Sequence, residues 1–259
     1  MYQFSPSQYS TYLLCPNKWL QERLNTKLRV AGRAADFGSL VHAFVEDALG
    51  GDSEEAAFKL MKQFTAEEID FAIVLAEKLR TYSKANFEPL SLEDSGMFNI
   101  TDHIKVRFRL DMIARDIHTG KTVVVDWKTR KNTGKYMPTS ESLLRDPAAI
   151  VYVWYASEKH GIPPEDLEFR LVFVDTLYRT LPPRTVSFQF ESREQFERQK
   201  RWVLSLSEQM IEALIRSEAT RNFGPSCKAF GGCHQKDICD EFRPKVSAED
   251  MFRKLKGEA

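Results

Sequence analysis

An acid and a base lie two residues apart in "VVVDWKT", residues 123–129, directly after an apolar run. On an extended strand, Asp126 and Lys128 project to one face and Trp127 to the other. A carboxylate is a hard ligand for Mg²⁺ or Mn²⁺, and an ammonium can orient a water nucleophile or stabilise charge on a phosphate. Asp111 ends the earlier run "RFRL", so two carboxylates from paired strands could hold one divalent ion. An isolated triplet of this kind equally fits a strand end with a surface salt bridge. Other motifs in the chain are needed to distinguish a metal site from such a salt bridge.

The elements that position these residues follow from hydrophobic periodicity. Residues 103–116 and 122–129 alternate around "HTGK", which predicts a β-hairpin. Two more strands are predicted at 167–178 and 184–191. Helical spacing predicts helices from Ser7 to about Leu24, after Gly38, at 54–64, at 67–86, from 146 to Gly161, and from Ser192 to about Ser217. Pro89 is predicted to close the helices before it.

Composition limits the kind of protein. The chain has 259 residues, of which 42% are hydrophobic, so we predict a single domain spanning 1–259 with a large core. Lys+Arg 37 balances Asp+Glu 37, so any polyanion must be bound by a local patch. No apolar run approaches the roughly 20 residues that span a bilayer, and the N-terminus lacks the regions of a signal peptide. We therefore expect a soluble cytoplasmic protein without a membrane partner.

Four segments together resemble the RecB-type branch of the PD-(D/E)XK nucleases, and the resemblance covers most of the chain. They are "FSPSQYSTYLLCP", "FGSLVHAFVEDAL", "RFRLDMIA" and "VVVDWKT". The resemblance implies an α/β fold with a restriction-endonuclease-like core, in which helices flank a mixed central sheet. It also implies a helical insertion at about 43–89 and a C-terminal cysteine cluster module at about 220–245 together with Cys15.

The resemblance also assigns roles to individual residues. By this similarity His42, Asp111, Asp126 and the backbone carbonyl of Trp127 are ligands of Mg²⁺ or Mn²⁺. Lys128 is the catalytic base or charge stabiliser. A lone histidine on a helix is otherwise more often structural. Glu46 lies four residues after His42, and we predict that it supports the site or is solvated.

The next motif of the family is Gln-x-x-x-Tyr on the following helix. Tyr155 fits the tyrosine and is predicted as a catalytic-site residue, but Val151 stands where the family has glutamine. Tyr152, Trp154 and Tyr155 are close in sequence, and such aromatics are more often core residues than a base-stacking platform.

The four cysteines form a second signal. Cys227, Cys233 and Cys239 are evenly spaced, and Cys15 lies far from them in sequence. Zinc sites generally use tight Cys-x₂₋₄-Cys spacing, whereas five-residue gaps suit a larger inorganic core. The arrangement resembles the iron-staple nucleases, including the helicase-associated AddB type and the CRISPR adaptation exonucleases, and implies a 4Fe-4S cluster. Zinc, with His234 as a spare ligand, and uncoordinated buried thiols are the alternatives.

The predicted activity is metal-dependent hydrolysis of DNA, by an exonuclease more than an endonuclease, on single strands or ends. Local basic clusters provide a phosphate track: Lys128, Arg130, Lys131 and Lys135, with Arg198, Lys200 and Arg201. The resemblance implies helicase, recombination or CRISPR-adaptation proteins as partners. The alternatives are a non-catalytic nucleic-acid-binding or adaptor protein on a nuclease scaffold, which the missing glutamine favours, and a redox sensor built on the cluster.

Overall fold

A mixed sheet organises the part of the chain that carries the predicted acidic residues. The computed structural model describes residues 1–28, 32–224, 227, 233–236 and 239. Within them the strands are β1 (Tyr2–Phe4), β2 (Phe87–Asn99), β3 (Ile104–Asp116), β4 (Thr122–Arg130), β5 (Leu167–Asp175) and β6 (Arg184–Gln189). Their order is β1-β3-β4-β5-β6, with β2 paired to β3 outside this path. β1 and β3 are parallel, as are β4 and β5, and the other pairs are antiparallel.

Helices flank this sheet, as the sequence predicts. The described α-helices are α1 (Pro6–Leu14), α2 (Pro16–Leu24), α3 (Arg33–Ala48), α4 (Glu54–Met61), α5 (Ala66–Asn86), α6 (Thr133–Tyr136), α7 (Ser140–Leu143), α8 (Pro147–His160) and α9 (Arg193–Arg216). None of the described helices is long and apolar enough to cross a membrane.

One hydrophobic cluster joins α3 and α5 to the sheet. It contains fully buried leucines of both helices and valines of α3 together with Val123, Val125 and Trp127 of β4. Complete burial of one such side chain contributes about 1.5–3 kcal/mol, so several of them hold α3 firmly against β4. Residues 43–89 therefore include part of this core; their assignment as a helical insertion stays a prediction.

The structure confirms several element boundaries that local sequence signals predict. Asp116 accepts the N–H groups of His118 and Thr119 at 2.9 Å each, which closes the predicted turn between β3 and β4. Gly161 ends α8 with a φ of 64°, a left-handed conformation that glycine adopts without strain. The Ser192 hydroxyl accepts the Gln195 N–H at 3.2 Å at the start of α9.

The predicted continuous helix from Ser7 to Leu24 is wrong, because the chain forms two helices there. Pro16 is the first residue of α2, and Cys15 before it is extended, with φ −161° and ψ 107°. A proline ring clashes with a helical conformation of the preceding residue, so α1 must end before Cys15.

The strand β2 is absent from the sequence prediction. The helix α5 ends at Asn86, before Pro89, and the chain continues directly into an extended segment paired with β3. The register shifts between Pro89 and Ser91, which is a bulge. Proline has no N–H to donate to a neighbouring strand, so a sheet tolerates it only at an edge strand or a bulge such as this one.

The chain divides into two compact units. The first takes its described residues from Met1–Ser10 and Ala31–Arg216, and the second from Thr11–Val30 and Ser217–Ala259. The first unit contains the sheet. The second contains all four cysteines. Of the predicted module at about 220–245, residues 225–226, 228–232, 237–238 and 240–245 lie outside the described residues.

Candidate active site

The ends of β3 and β4 bring two buried carboxylates together. The backbone ladder between the strands ends at Met112 paired with Val125. Beyond this pair the Trp127 N–H donates to Asp111 Oδ2 at 2.6 Å, so a side chain replaces the next ladder partner. Asp111 and Asp126 are each only 5% exposed. Two acids are thus held in the interior at the point where the strands separate.

Lys128 contacts one of these acids. Its Nζ lies 2.5 Å from Asp126 Oδ2, while Trp127 between them is fully buried in the core cluster. The strand therefore presents the acid and the base to one face, as the alternation predicts. The Lys128 side chain is 45% exposed, although its ammonium contacts a buried acid.

His42 reaches the site from α3. Its Nδ1 lies 3.1 Å from Asp111 Oδ1, and its ring packs edge-on against Trp127 with centroids 6.1 Å apart. One turn earlier, a Cβ on Gly38 would lie 3.0 Å from Thr129 Oγ1, so the absence of a side chain permits the close approach of α3 to β4. The three predicted side-chain ligands, His42, Asp111 and Asp126, are thereby brought to the same region.

Burial and neighbouring charges set the protonation of these groups. Burial raises the pKa of Asp126 to about 6, even though the Lys128 ammonium lowers it, and the Asp111 charge raises it further. Burial also raises the pKa of Asp111, but the charge and hydrogen bond of His42 outweigh this effect, so the net shift is downward. The pKa of His42 is lowered by burial, yet Asp111 reverses the shift and the pKa lies above its ordinary value.

The donor chemistry fits a hard divalent ion, since carboxylate oxygens and imidazole are suitable ligands. Two buried acids that repel each other also favour a nearby cation. Within the described residues, however, no group of three or more His, Cys, Asp or Glu side chains is arranged to hold a metal ion. Asp111 is paired with His42 and Asp126 with Lys128, so a bound ion would compete with these two contacts.

A third buried acid, Glu46, lies one helical turn from His42. Glu46 is 4% exposed, and its Oε2 lies 3.4 Å from Arg109 Nη2, which also pairs with Glu93. Burial raises the pKa of Glu46 to about 7; the hydrogen bond and charge of Glu93 add to this, and Arg109 opposes it. Glu93 has a φ of 45°, which is rare for a residue with a side chain. The spacing from His42 was the only sequence signal for this network.

The structure separates the two tyrosines of α8. Tyr155, predicted as a catalytic-site residue, packs against Phe108 with ring centroids 4.1 Å apart. Burial raises its pKa, and so do the hydrogen bond and charge of Asp94, while Lys159 opposes them. These contacts, and not the acids of β3 and β4, surround Tyr155.

Tyr152 is the tyrosine on which the charges of Asp126 and Asp111 act. Its hydroxyl donates to the Arg109 carbonyl at 2.9 Å, and its pKa is raised by burial and by the charges of Asp126 and Asp111. From its sequence context, Tyr152 is predicted to be a core residue. Four residues before it stands Ala148, so this register also lacks a glutamine.

The four cysteines lie in the second unit as free thiols of intermediate exposure. Burial raises the pKa of Cys239, and the charges of Cys15 and Cys233 raise it further, so these three thiols are neighbours. Asn17 Nδ2 lies 3.8 Å from Cys239 Sγ. Cys227 joins them through its carbonyl, which accepts the Cys233 N–H at 3.0 Å. Cys15 is thus near the late cysteines despite its distance in sequence.

Comparison with known proteins identifies the class. The profile of the PD-(D/E)XK nuclease superfamily matches residues 3–240. The chain therefore belongs to this superfamily, and its mixed sheet flanked by helices is consistent with the predicted restriction-endonuclease-like core.

One solved structure shows a similar fold at low sequence identity. A candidate exonuclease from Eubacterium rectale is similar with a TM-score of 0.59 and 14% identity, covering 96% of this chain and 92% of that chain. At this identity the likeness concerns the fold alone. SSO0001 matches with a TM-score of 0.38 and 19% identity over 91% of this chain and 97% of that chain, and no inference rests on it. No curated protein sequence matches the chain.

Proposed function

We propose that the protein is a divalent-metal-dependent DNA nuclease of the RecB type that acts as an exonuclease on single strands or ends. The observation that carries the proposal is the meeting of Asp111, Asp126 and Lys128 where β3 and β4 separate. Membership of the nuclease superfamily supports hydrolysis of a phosphodiester. The two acids and the lysine form no part of the hydrophobic core, so packing alone does not explain their convergence.

In this proposal His42, Asp111, Asp126 and the Trp127 carbonyl hold Mg²⁺ or Mn²⁺. A bound ion would supply Lewis acidity at the phosphate and a lower pKa for water. The ammonium of Lys128 orients the attacking water and stabilises the negative charge that develops on the phosphate. Water adds to phosphorus and one P–O ester bond breaks, which leaves a phosphate monoester and a free hydroxyl.

We also propose that Cys15, Cys227, Cys233 and Cys239 hold a 4Fe-4S cluster, with zinc as the alternative. The support is the proximity of Cys15 and Cys233 to Cys239 within the second unit. Soft thiolates from two distant segments suit iron–sulfur chemistry. Such a cluster would fasten the segment after α9 to the α1–α2 junction.

The test of the nuclease is an assay with end-labelled single- and double-stranded DNA, using anaerobically purified protein with Mn²⁺, Mg²⁺ or EDTA. We expect cleavage that EDTA abolishes and that Asp126→Ala removes, while circular dichroism shows an unchanged fold. An Asp126→Ala variant that cleaves like the parent would contradict the site. DNA binding without cleavage by the parent protein would favour the adaptor instead.

A further inference from the structure

A basic and aromatic surface follows directly after the proposed catalytic strand. We call it the α6 surface; its members are Arg130, Lys131, Lys135, Tyr136 and Arg184. All five residues are exposed, and none of the four cations forms an ion pair with an acid in the described part of the chain. In a chain whose formal charges balance overall, such unpaired cations form a local positive patch.

The backbone of this surface is fixed by one buried acid. Asp175 is 2% exposed, and its carboxylate accepts the Thr133 N–H at 2.6 Å and the Thr133 hydroxyl at 2.9 Å. It also accepts the Asn132 N–H at 3.3 Å, where Asn132 has a left-handed φ of 57°. Since α6 starts at Thr133, these bonds set its position relative to β5. The surface is therefore preorganised rather than a loose loop.

The surface continues the face that carries the proposed catalytic lysine. Arg130 lies two residues after Lys128, so both project to the same side of the strand about 7 Å apart. The Arg130 guanidinium donates to the Tyr136 carbonyl, which ties the strand end to α6. On the other side, Arg184 Nη1 lies 3.6 Å from the position of a Cβ on Gly134.

Tyr136 is the aromatic residue of this surface. It is 53% exposed, and Lys135 Nζ lies 5.2 Å from its ring centroid. An exposed ring flanked by cations is the combination that binds single strands without reading sequence, because every base has a stacking face and every nucleotide a phosphate. A base inside a duplex already stacks on its neighbours, so its face is not free for Tyr136.

We propose that the α6 surface binds single-stranded DNA beside the site, with Tyr136 stacking on an unpaired base and Arg130, Lys135 and Arg184 contacting phosphates. This inference rests on the proposed nuclease function and deepens it, because it makes the single strand the bound form of the substrate. Tyr136 is then a residue that determines strand specificity and not a catalytic residue.

The test measures binding separately from cleavage. Fluorescence anisotropy in EDTA would follow a labelled oligo-dT strand and a labelled blunt hairpin duplex with the full-length protein. We expect Tyr136→Ala to weaken binding of the single strand about tenfold, with less than about a twofold effect on the duplex. Tyr136→Phe should bind like the parent because it keeps the ring. Lys135→Gln should make the slope of log K against log salt concentration shallower by about 0.7 for the single strand, because one phosphate contact is lost.

Two exposed residues of α4 provide matched controls. Phe58, 56% exposed, controls for loss of an exposed ring, and Lys59 for loss of an exposed charge. Phe58→Ala and Lys59→Gln should bind both probes like the parent. If Tyr136→Ala binds the single strand like the parent, or loses both probes equally, the stacking role is overturned while the nuclease proposal stands. A parent protein that binds neither probe would also overturn this inference, whereas only the cleavage assay with Mn²⁺ or Mg²⁺ decides the nuclease proposal.

Discussion

Lys128 Nζ lies 2.5 Å from Asp126 Oδ2, although the lysine side chain is 45% exposed and the aspartate side chain only 7%. The contact therefore connects a carboxylate that water hardly reaches to a lysine whose side chain lies partly in solvent. Burial disfavours the charged form of Asp126, and the lysine partly reverses this effect. Lys128 can consequently act on the substrate side while it keeps its neighbour ionised.

Replacement of Lys128 by alanine should lower turnover more than DNA binding. The ammonium acts mainly on charge that develops during the reaction, so we expect kcat to fall by about 10²–10⁴-fold with little change in Kd. Single-turnover cleavage and anisotropy would measure the two quantities. Lys59→Ala, on the exposed face of α4, is the charge-matched control. An equal loss of binding and turnover would instead make Lys128 a substrate-binding residue.

Replacement of His42 by alanine should change the choice of metal. An imidazole among carboxylates favours Mn²⁺ over Mg²⁺ relative to a site with oxygen ligands alone. We expect the parent to cleave faster with Mn²⁺ than with Mg²⁺ at equal concentration, and this ratio should shrink in His42→Ala. If both rates fall in proportion, His42 acts only through its hydrogen bond to Asp111.

Glu46 should make stability depend on pH. The pKa of its carboxyl is about 7 in the folded protein and 4.5 ordinarily, so between these values the folded state holds a proton that the unfolded chain releases. Stability from this group is therefore complete below about pH 4.5 and is lost as pH rises through 7. Between pH 5 and pH 8 the parent should lose about 2 kcal/mol of unfolding free energy that Glu46→Gln does not lose. Urea unfolding would measure this difference, and a constant offset would contradict the shift.

Asp175 should show the opposite dependence. Burial raises the pKa of its carboxyl, but hydrogen bonds from the backbone of Tyr178, Thr133 and Leu177 lower it to about 2. The contribution to stability is present above about pH 4 and is lost as pH falls through 2. We expect Asp175→Asn to cost about 2 kcal/mol at pH 7 and clearly less at pH 3. Exposed Asp47→Asn is the control, and an equal cost at both pH values would exclude an ionised acceptor.

Cys15→Ser tests the proposed cluster at its most distant ligand. If four thiolates hold one cluster, its binding contributes to folding, and any single Cys→Ser change should remove the iron, the brown colour and part of the thermal stability. Zinc would give a colourless protein with one metal per chain. Iron content and melting temperature would be measured anaerobically for all four variants. A Cys15→Ser protein with full iron content would remove Cys15 from the ligand set.

The parts of the fold predicted correctly are those with a local cause. Alternation along β4 placed Asp126 and Lys128 on one face, and Gly161 ended α8 where a left-handed residue was needed. The strand β2 was missed because its sequence contains proline, glycine and several acids, and it is extended through pairing with β3 instead of through propensity. The break before Pro16 follows from the proline, whereas hydrophobic spacing alone favours one continuous helix.

Much of the site could not be predicted from the sequence, because it is formed by tertiary contacts between distant segments. His42 and Asp111 are joined by the packing of α3 on β4, and Glu46, Glu93 and Arg109 come from three different elements. Tyr152 and Tyr155 lie only about 60° apart around α8, so helical periodicity does not distinguish them. Position along the helix relative to β3 decides which hydroxyl approaches the acids.

The bulge at Pro89–Ser91 also bears on how the protein behaves at high concentration. Within the described residues, β2 pairs with β3 alone, so its other side is a free sheet edge. Such an edge can template fibrillar association with another molecule. Pro89 offers no N–H there, and the left-handed Glu93 interrupts the flat extended backbone that a foreign strand would need. The irregular edge therefore protects the nuclease fold against edge-to-edge aggregation.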